Sequence, residues 1–169
     1  MSDIDPIFDW WKRCIADRES GAARALSAKL RRAGEVEALA HPQVHELALR
    51  TGLRDARRLA LLVRVLAEVR ENKGEPLFAR LGPSRLEEDD GALSKLRFQK
   101  LLRSEGDELY SALRRAITMA DRACNVTRLG RDLRWLGDKT RQRWCFDYFG
   151  GQAPAELSAV PQSDLQEHS

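Results

Sequence analysis

The sequence predicts an all-α protein, a single-domain multi-helix bundle of about seven helices. Three observations carry this reading. Apolar residues recur three and four apart through most of the chain. Capping residues and proline or glycine stops punctuate those runs at helix-length intervals. No run alternates apolar and polar residues as a half-buried strand would.

The elements follow in order. Asp5–Pro6 places an N-cap before a proline at the first helical position and opens a helix to about Asp17. Ser20 caps "GAARALSAKLRRAG", which Gly34 closes. His41–Pro42 breaks the chain and opens a short helix that stops near Gly52. A long helix covers about Leu53–Glu71, with Leu59, Leu62, Val63, Leu66 and Val69 on one stripe, and Asn72–Lys73–Gly74 ends it. Residues 74–92 hold three glycines, two prolines and an acidic cluster, and read as a long loop. Four helical runs follow: Leu93–Arg103, Glu108–Ala123 capped by Asp107, Thr127–Gly137, and Lys139–Phe149 capped by Asp138. Gly150–Gly151 stops the last. Residues 1–151 are therefore expected to form the bundle domain. Residues 152–169 lack periodicity and aromatics and are expected to be a disordered tail.

Composition excludes several classes. The longest apolar run, "LALLV" at 59–63, is far too short to span a bilayer. "MSDIDPIFDWW" is acidic where a signal peptide is basic. Cys14, Cys124 and Cys145 are odd in number and widely spaced, which argues for reduced thiols and a cytoplasmic location rather than a disulfide framework or zinc ribbon. No phosphate loop, dinucleotide fingerprint or nucleophile elbow occurs. His41 and His45 are four apart, but Pro42 puts His41 outside the helix and no further ligand completes a metal site. "EEDD" at 87–90 reads as a solvated acidic loop. Asp132 and Asp147 have no histidine or lysine beside them for acid–base work. No catalytic residue, metal or cofactor is expected.

Charge distribution says more than the net +3. Residues 1–94 balance at 16 basic and 16 acidic, residues 95–151 hold 13 basic against 7 acidic, and the tail is acidic. A local basic excess of this kind suits a phosphate backbone. In Arg128–Gly137 the leucines 129, 133 and 136 share one narrow arc at about 100° per residue, with Arg128, Arg131 and Arg134 nearly opposite. Asp132 lies between the arcs and Trp135 on the arginine side. In Glu108–Ala123, Arg115 and Arg122 lie away from the seam of Leu109, Leu113, Ala116, Ile117 and Ala120, with Arg114 on its flank. Arg57 and Arg64 share a face of the long helix, where an Arg64–Glu68 pair is the structural alternative. Arg97 falls between Leu93 and Leu101, so it must snorkel, pair or reach a ligand. Trp10, Trp11, Phe98, Trp144, Phe146, Tyr148 and Phe149 sit at helical spacing among leucines and are expected in the core rather than as stacking platforms.

"KLRFQKLLRSEGDELYSALRRAI" (95–117) and "RLGRDLRWLGDKTRQRWCFDYF" (128–149) together resemble the CasB family, the small subunit of the type I-E CRISPR surveillance complex Cascade. "ARALSAKLRRAG" (23–34) and the tryptophan-bearing first helix fit its N-terminal part. The linker "ADRACNVTR", the 74–92 loop and the tail depart from the pattern. The resemblance implies an all-helical, non-catalytic protein of antiviral defence. It implies as partners a second copy of the chain, the Cascade backbone and large subunits, crRNA and target DNA, with no membrane and no small-molecule substrate. It implies a basic face that holds the displaced DNA strand and stabilises the R-loop. By position it assigns nucleic-acid contacts to Arg31, Arg32, Arg57, Arg97, Arg103, Arg114 or Arg115, and Lys139 with Arg141. Arg131 and Arg134 join that set from the helical wheel. A stand-alone nucleic-acid-binding regulator and a pure scaffold are the alternatives; salt-dependent binding to single strands separates them.

Overall fold

Caps decide where the helices begin. The computed structural model describes residues 4–86 and 90–158. Asp5 accepts from the Ile7 and Phe8 amides and starts α1 (Pro6–Trp11), which runs on as a π-helical segment (Lys12–Ala16). Ser20 accepts from the Ala23 amide and caps α2 (Gly21–Arg32). Next come α3 (Glu35–Ala38) and α4 (Pro42–Thr51), which ends on Gly52 in the left-handed region at φ 75°. Asp55 caps α5 (Ala56–Leu66). The short strand β1 (Glu71–Asn72) pairs in parallel with β2 (Ala123–Cys124). Between them lie α6 (Leu77–Leu81), α7 (Lys95–Leu102, capped by Ser94) and α8 (Gly106–Met119). Asn125 caps α9 (Val126–Arg134); α10 (Asp138–Tyr148) and α11 (Ala155–Ser158) complete the described chain.

The chain is mainly helical, as expected, but several features differ from the sequence reading. Asp107 and Asp138 lie inside the first turns of α8 and α10, whose N-caps are Glu105 and Gly137. The helix expected over Leu53–Glu71 runs only from Ala56 to Leu66, because Asp55 caps it late and the chain turns after Leu66. Residues 74–92 are not loop throughout, because Leu77, Phe78 and Leu81 form a helix whose apolar side is buried in the core. Its five residues are too few to show a period between Pro76 and Gly82. The β1–β2 pairing carries no alternating pattern because each strand has two residues. Residues 155–158 of the expected disordered tail form a helical turn with Leu157 buried, and Arg143 Nη1 donates to its carbonyl. Residues 159–169 of that tail, and Glu87, Glu88 and Asp89 of the acidic cluster, lie outside the described residues.

Helix α5 is the centre. It packs against α2, α3, α4, α8 and α9, and every residue from Leu59 to Val69 is buried. Trp10 and Trp11 sew α1 to this centre by donating to the carbonyls of Gln43 (2.8 Å) and Val69 (3.0 Å). On the other side, Phe78, Phe98, Trp144 and Tyr148 form a ring cluster, with Phe98 stacked on Tyr148 at 4.1 Å. Phe146 is half-buried and Phe149 sits at the rim, so the aromatic set is core except at its C-terminal end. Gly82 lets the loop after α6 approach α10: a Cβ there would lie 1.7 Å from the Tyr148 carbonyl oxygen.

The α9–α10 corner rests on one buried carboxylate. Asp132 accepts from Trp144 Nε1 and Arg143 Nη2, both at 2.9 Å. Trp144→Ala removes a large buried ring and one of these donors, and is expected to cost about 3–5 kcal/mol in denaturant unfolding. Unchanged stability would place the ring outside the core. Truncation after Gly151 exposes the Arg143 guanidinium and removes Leu157, so a melting temperature several degrees lower is expected. The burial of one leucine side chain, about 1.5–3 kcal/mol, sets that scale. An unchanged melting temperature would show that the packing of Leu157 contributes nothing.

Candidate nucleic-acid interface

Arginine is the commonest polar side chain on this surface, so the useful distinction is between guanidinium groups with internal partners and those without. Arg134 donates to the Thr51 carbonyl and stacks over Trp135 at 4.6 Å. Arg141 donates to the Leu102 carbonyl (2.9 Å) and pairs with Glu105 (3.0 Å). Arg128 pairs with Asp147 (3.1 Å) and lies 3.9 Å from Asp132. Burial raises the Asp147 pKa and the Arg128 charge opposes that rise. The arginine back of α9 is therefore largely turned to internal acceptors, and Arg131 is its exposed member. Arg114 lies 3.5 Å from Glu68 while remaining exposed. Arg31 is half-buried, with Nε donating to the Ser27 carbonyl.

Arg32, Arg57, Arg97, Arg103, Arg115, Arg131 and Lys139 are exposed and have no ion-pair partner among the described residues. The fold gathers only some of them. Arg97 and Arg115 face one another across a groove of about 380 Å³ between α7 and α8, joined by Lys100. Leu101, Ala112 and Met119 line its apolar side, and Ser104 and Ser111 supply hydroxyls. Asp107 and Glu108 stand at one end, with Asp107 held by Arg64 at 3.0 Å. Arg103 caps the C-terminus of α7 close by. Arg57 and Arg141 share a different cavity, of about 430 Å³, where four arginines meet four carboxylates. That second cavity has no excess charge to offer an anion.

Two sequence expectations change. Arg97 does not interrupt an apolar arc: Leu93 precedes the helix, its amide bonded to the Leu81 carbonyl, so Phe98 and Leu101 set the buried side and Arg97 lies exposed at its rim. Arg64 does not pair with Glu68; it reaches Asp107 and lies 4.0 Å over the Tyr110 ring. Lys100 also lines the groove, and its place one turn after Arg97 is a helical spacing visible in the sequence. Among the described residues no three histidine, cysteine or acidic side chains cluster closely enough to hold a metal ion.

A groove with a basic rim, hydroxyls and an apolar wall can hold a phosphodiester strand without reading base edges. Comparison with known proteins identifies the family. Residues 26–149 match the family model described as CRISPR-associated protein Cse2. The fold is similar to a chain in the crystal structure of E. coli Cascade bound to a PAM-containing double-stranded DNA target, with a TM-score of 0.60 and 20% sequence identity over 88% of this chain and 95% of that one. No curated protein shows a significant sequence match. With most of its length inside the family model, the chain belongs to the CRISPR-associated Cse2 family, which the sequence resembles under its other name, CasB.

Proposed function

We propose that this protein is the non-catalytic small subunit of a type I-E Cascade complex, acting in the cytoplasm in antiviral defence. It works as a pair of copies against the backbone and large subunits, and its basic face holds opened DNA, the displaced strand above all. The observation that carries this reading is the α7–α8 groove, where Arg97, Lys100 and Arg115 converge without internal ion-pair partners among the described residues. Opening a duplex against a guide RNA exchanges one duplex for another at nearly equal free energy. A few phosphate contacts on the freed strand therefore decide how long the opened state lasts. Such contacts need no base-reading side chains, because pairing with the guide reads the sequence. Arg31, Arg32, Arg57, Arg114, Lys139 and Arg141 belong to the proposed contact set by position, and Arg131 and Arg134 by their place on the arginine side of α9. The internal partners of Arg134 and Arg141 make those two suited to shaping the surface rather than meeting phosphate.

Charge reversal tests the groove. The complex assembled with Arg103→Glu plus Arg115→Glu is expected to bind matched and mismatched targets more weakly by a similar factor. Its log affinity should also fall less steeply with log salt, by about one unit for each phosphate no longer neutralised. Both side chains are exposed, so folding and assembly are expected to persist. Normal assembly with unchanged affinity and salt slope would make Arg115 in the groove and Arg103 at the end of α7 ordinary solvated surface.

A further inference from the structure

A second arginine cluster lies outside the groove and, except for Arg31, outside the contact set assigned above. Arg18, Arg24, Arg31 and Arg70 rim a cavity of about 350 Å³ whose floor includes Ile15 and Val69. No acidic side chain among the described residues lines it. None of the four arginines has an ion-pair partner among the described residues. Two of them are nonetheless held in place: Arg24 Nη1 donates to the Arg18 carbonyl at 2.9 Å, and Arg31 Nε to the Ser27 carbonyl at 3.3 Å. Each of those bonds uses one N–H and leaves the rest of the guanidinium edge available.

The surroundings increase the positive charge. Arg122 sits behind the rim with Nε donating to the Glu68 carbonyl at 2.9 Å. Its own charged form is disfavoured, first by burial and then by repulsion from Arg70 and Arg31. The buried Glu68 carboxylate is the local counter-charge, and it already faces Tyr110, Arg114 and Arg122. Arg122 and Asp121 both hold positive φ, 58° and 57°, a backbone strain that non-glycine residues rarely carry. The floor rests on the π-helical segment that ends at Ala16, an uncommon geometry that concentrates at functional sites.

We propose that this cavity binds one unpaired nucleotide of a nucleic-acid strand, its phosphate among Arg18, Arg24, Arg31 and Arg70 and its base stacked on a guanidinium face at the rim. Guanidinium groups match phosphate oxygens in fork geometry and also stack on base faces. A bare inorganic anion would use the N–H edges of the guanidinium groups and leave their flat faces uncovered. The assignment is separate from the α7–α8 groove, so a strand held at both places would be fixed at two points on this subunit.

The test uses the full-length protein and a labelled oligothymidylate of about twelve residues, followed by fluorescence anisotropy at several salt concentrations. Arg24→Glu plus Arg70→Glu is expected to weaken binding about tenfold or more. It should also flatten the salt slope by about 0.7 for each phosphate that the variant no longer neutralises. The groove pair Arg97→Glu plus Arg115→Glu serves as comparison. If only the groove pair weakens binding, the cavity assignment is overturned and the proposed groove stands. If only the cavity pair weakens it, the cavity stands and the groove reading fails. If neither pair weakens it, both are overturned. An abasic strand of the same length is expected to bind wild-type protein several-fold more weakly, and the cavity pair should no longer distinguish the two strands. Equal binding of the two strands by wild-type protein would mean that the cavity holds no base, which overturns the assignment. Circular dichroism melts confirm folding, and Arg24→Gln plus Arg70→Gln replaces the pair should the reversed charges unfold the protein; it is expected to weaken binding in the same direction, and unchanged binding again overturns the cavity.

Discussion

Arg64 in the central helix and Glu68 two residues past its end are both buried, at 6% and 3% exposure, and they are not paired with each other. A charge removed from water costs several kcal/mol unless partners replace the solvent. Each must therefore be met from another part of the chain. Arg64 reaches Asp107 at the start of α8 and lies over Tyr110. Glu68 accepts from the Tyr110 hydroxyl at 2.8 Å and faces Arg114 of α8 and Arg122 after it. Helix α8 is in this way locked to α5 in one register, because a shift by a residue would strand both charges. Burial and the Glu68 carboxylate together hold the Tyr110 hydroxyl far above its ordinary pKa, so it stays a donor at any physiological pH. Arg64 keeps one imperfection: its Nε is buried without an acceptor.

That register has a consequence on the opposite side of α8. With Tyr110, Leu113 and Ile117 facing inward, Arg115 points outward toward α7, where Arg97 and Lys100 meet it across the groove. The basic groove is thus the outer side of a helix whose inner side is fixed by two buried charges. The same logic accounts for α9. Its internal side supplies Leu129, Leu133 and the buried Asp132, and Asp132 in turn orients Arg143 and Trp144 of α10. Arginines there serve the fold first, and only those left without acceptors remain for a ligand.

Much of this frame was legible in the sequence, for identifiable reasons. Asp5–Pro6, Ser20, Pro42 and Gly52 act within one helical turn, so local rules locate them. The seams of α5 and α8 follow from spacing alone. What was not legible is long-range. Nothing in the spacing of Arg128 and Arg134 shows that Asp147 and the Thr51 carbonyl are waiting for them. The wheel placed Leu93 in the same helix as Leu101, whereas Leu93 belongs to the loop bonded back to Leu81, and this moved Arg97 from an apolar arc to the surface. Helix α6 was hidden because five residues between a proline and a glycine leave no period to count. The Arg18–Arg24–Arg31–Arg70 cavity joins a helix, the turn before it and the chain after α5, residues that no one-dimensional window brings together.

The two basic sites also differ in how strongly the fold commits to them. The groove rims are exposed side chains on two helices, which in the proposed function leaves them free to follow a strand whose path changes as the duplex opens. The cavity is built around partial restraint: carbonyls orient two arginines, a left-handed turn positions Arg122 behind them, and one buried carboxylate leaves the local charge positive. Crowding several guanidinium groups against a single acid costs stability in the free protein. An anion that enters relieves that repulsion, so its binding free energy includes the relief as well as its direct contacts. Groups held in place beforehand lose less entropy when they bind, which favours a defined position for one nucleotide over a sliding contact. In the proposed setting the cavity would anchor the strand, and the groove would accept it at variable positions.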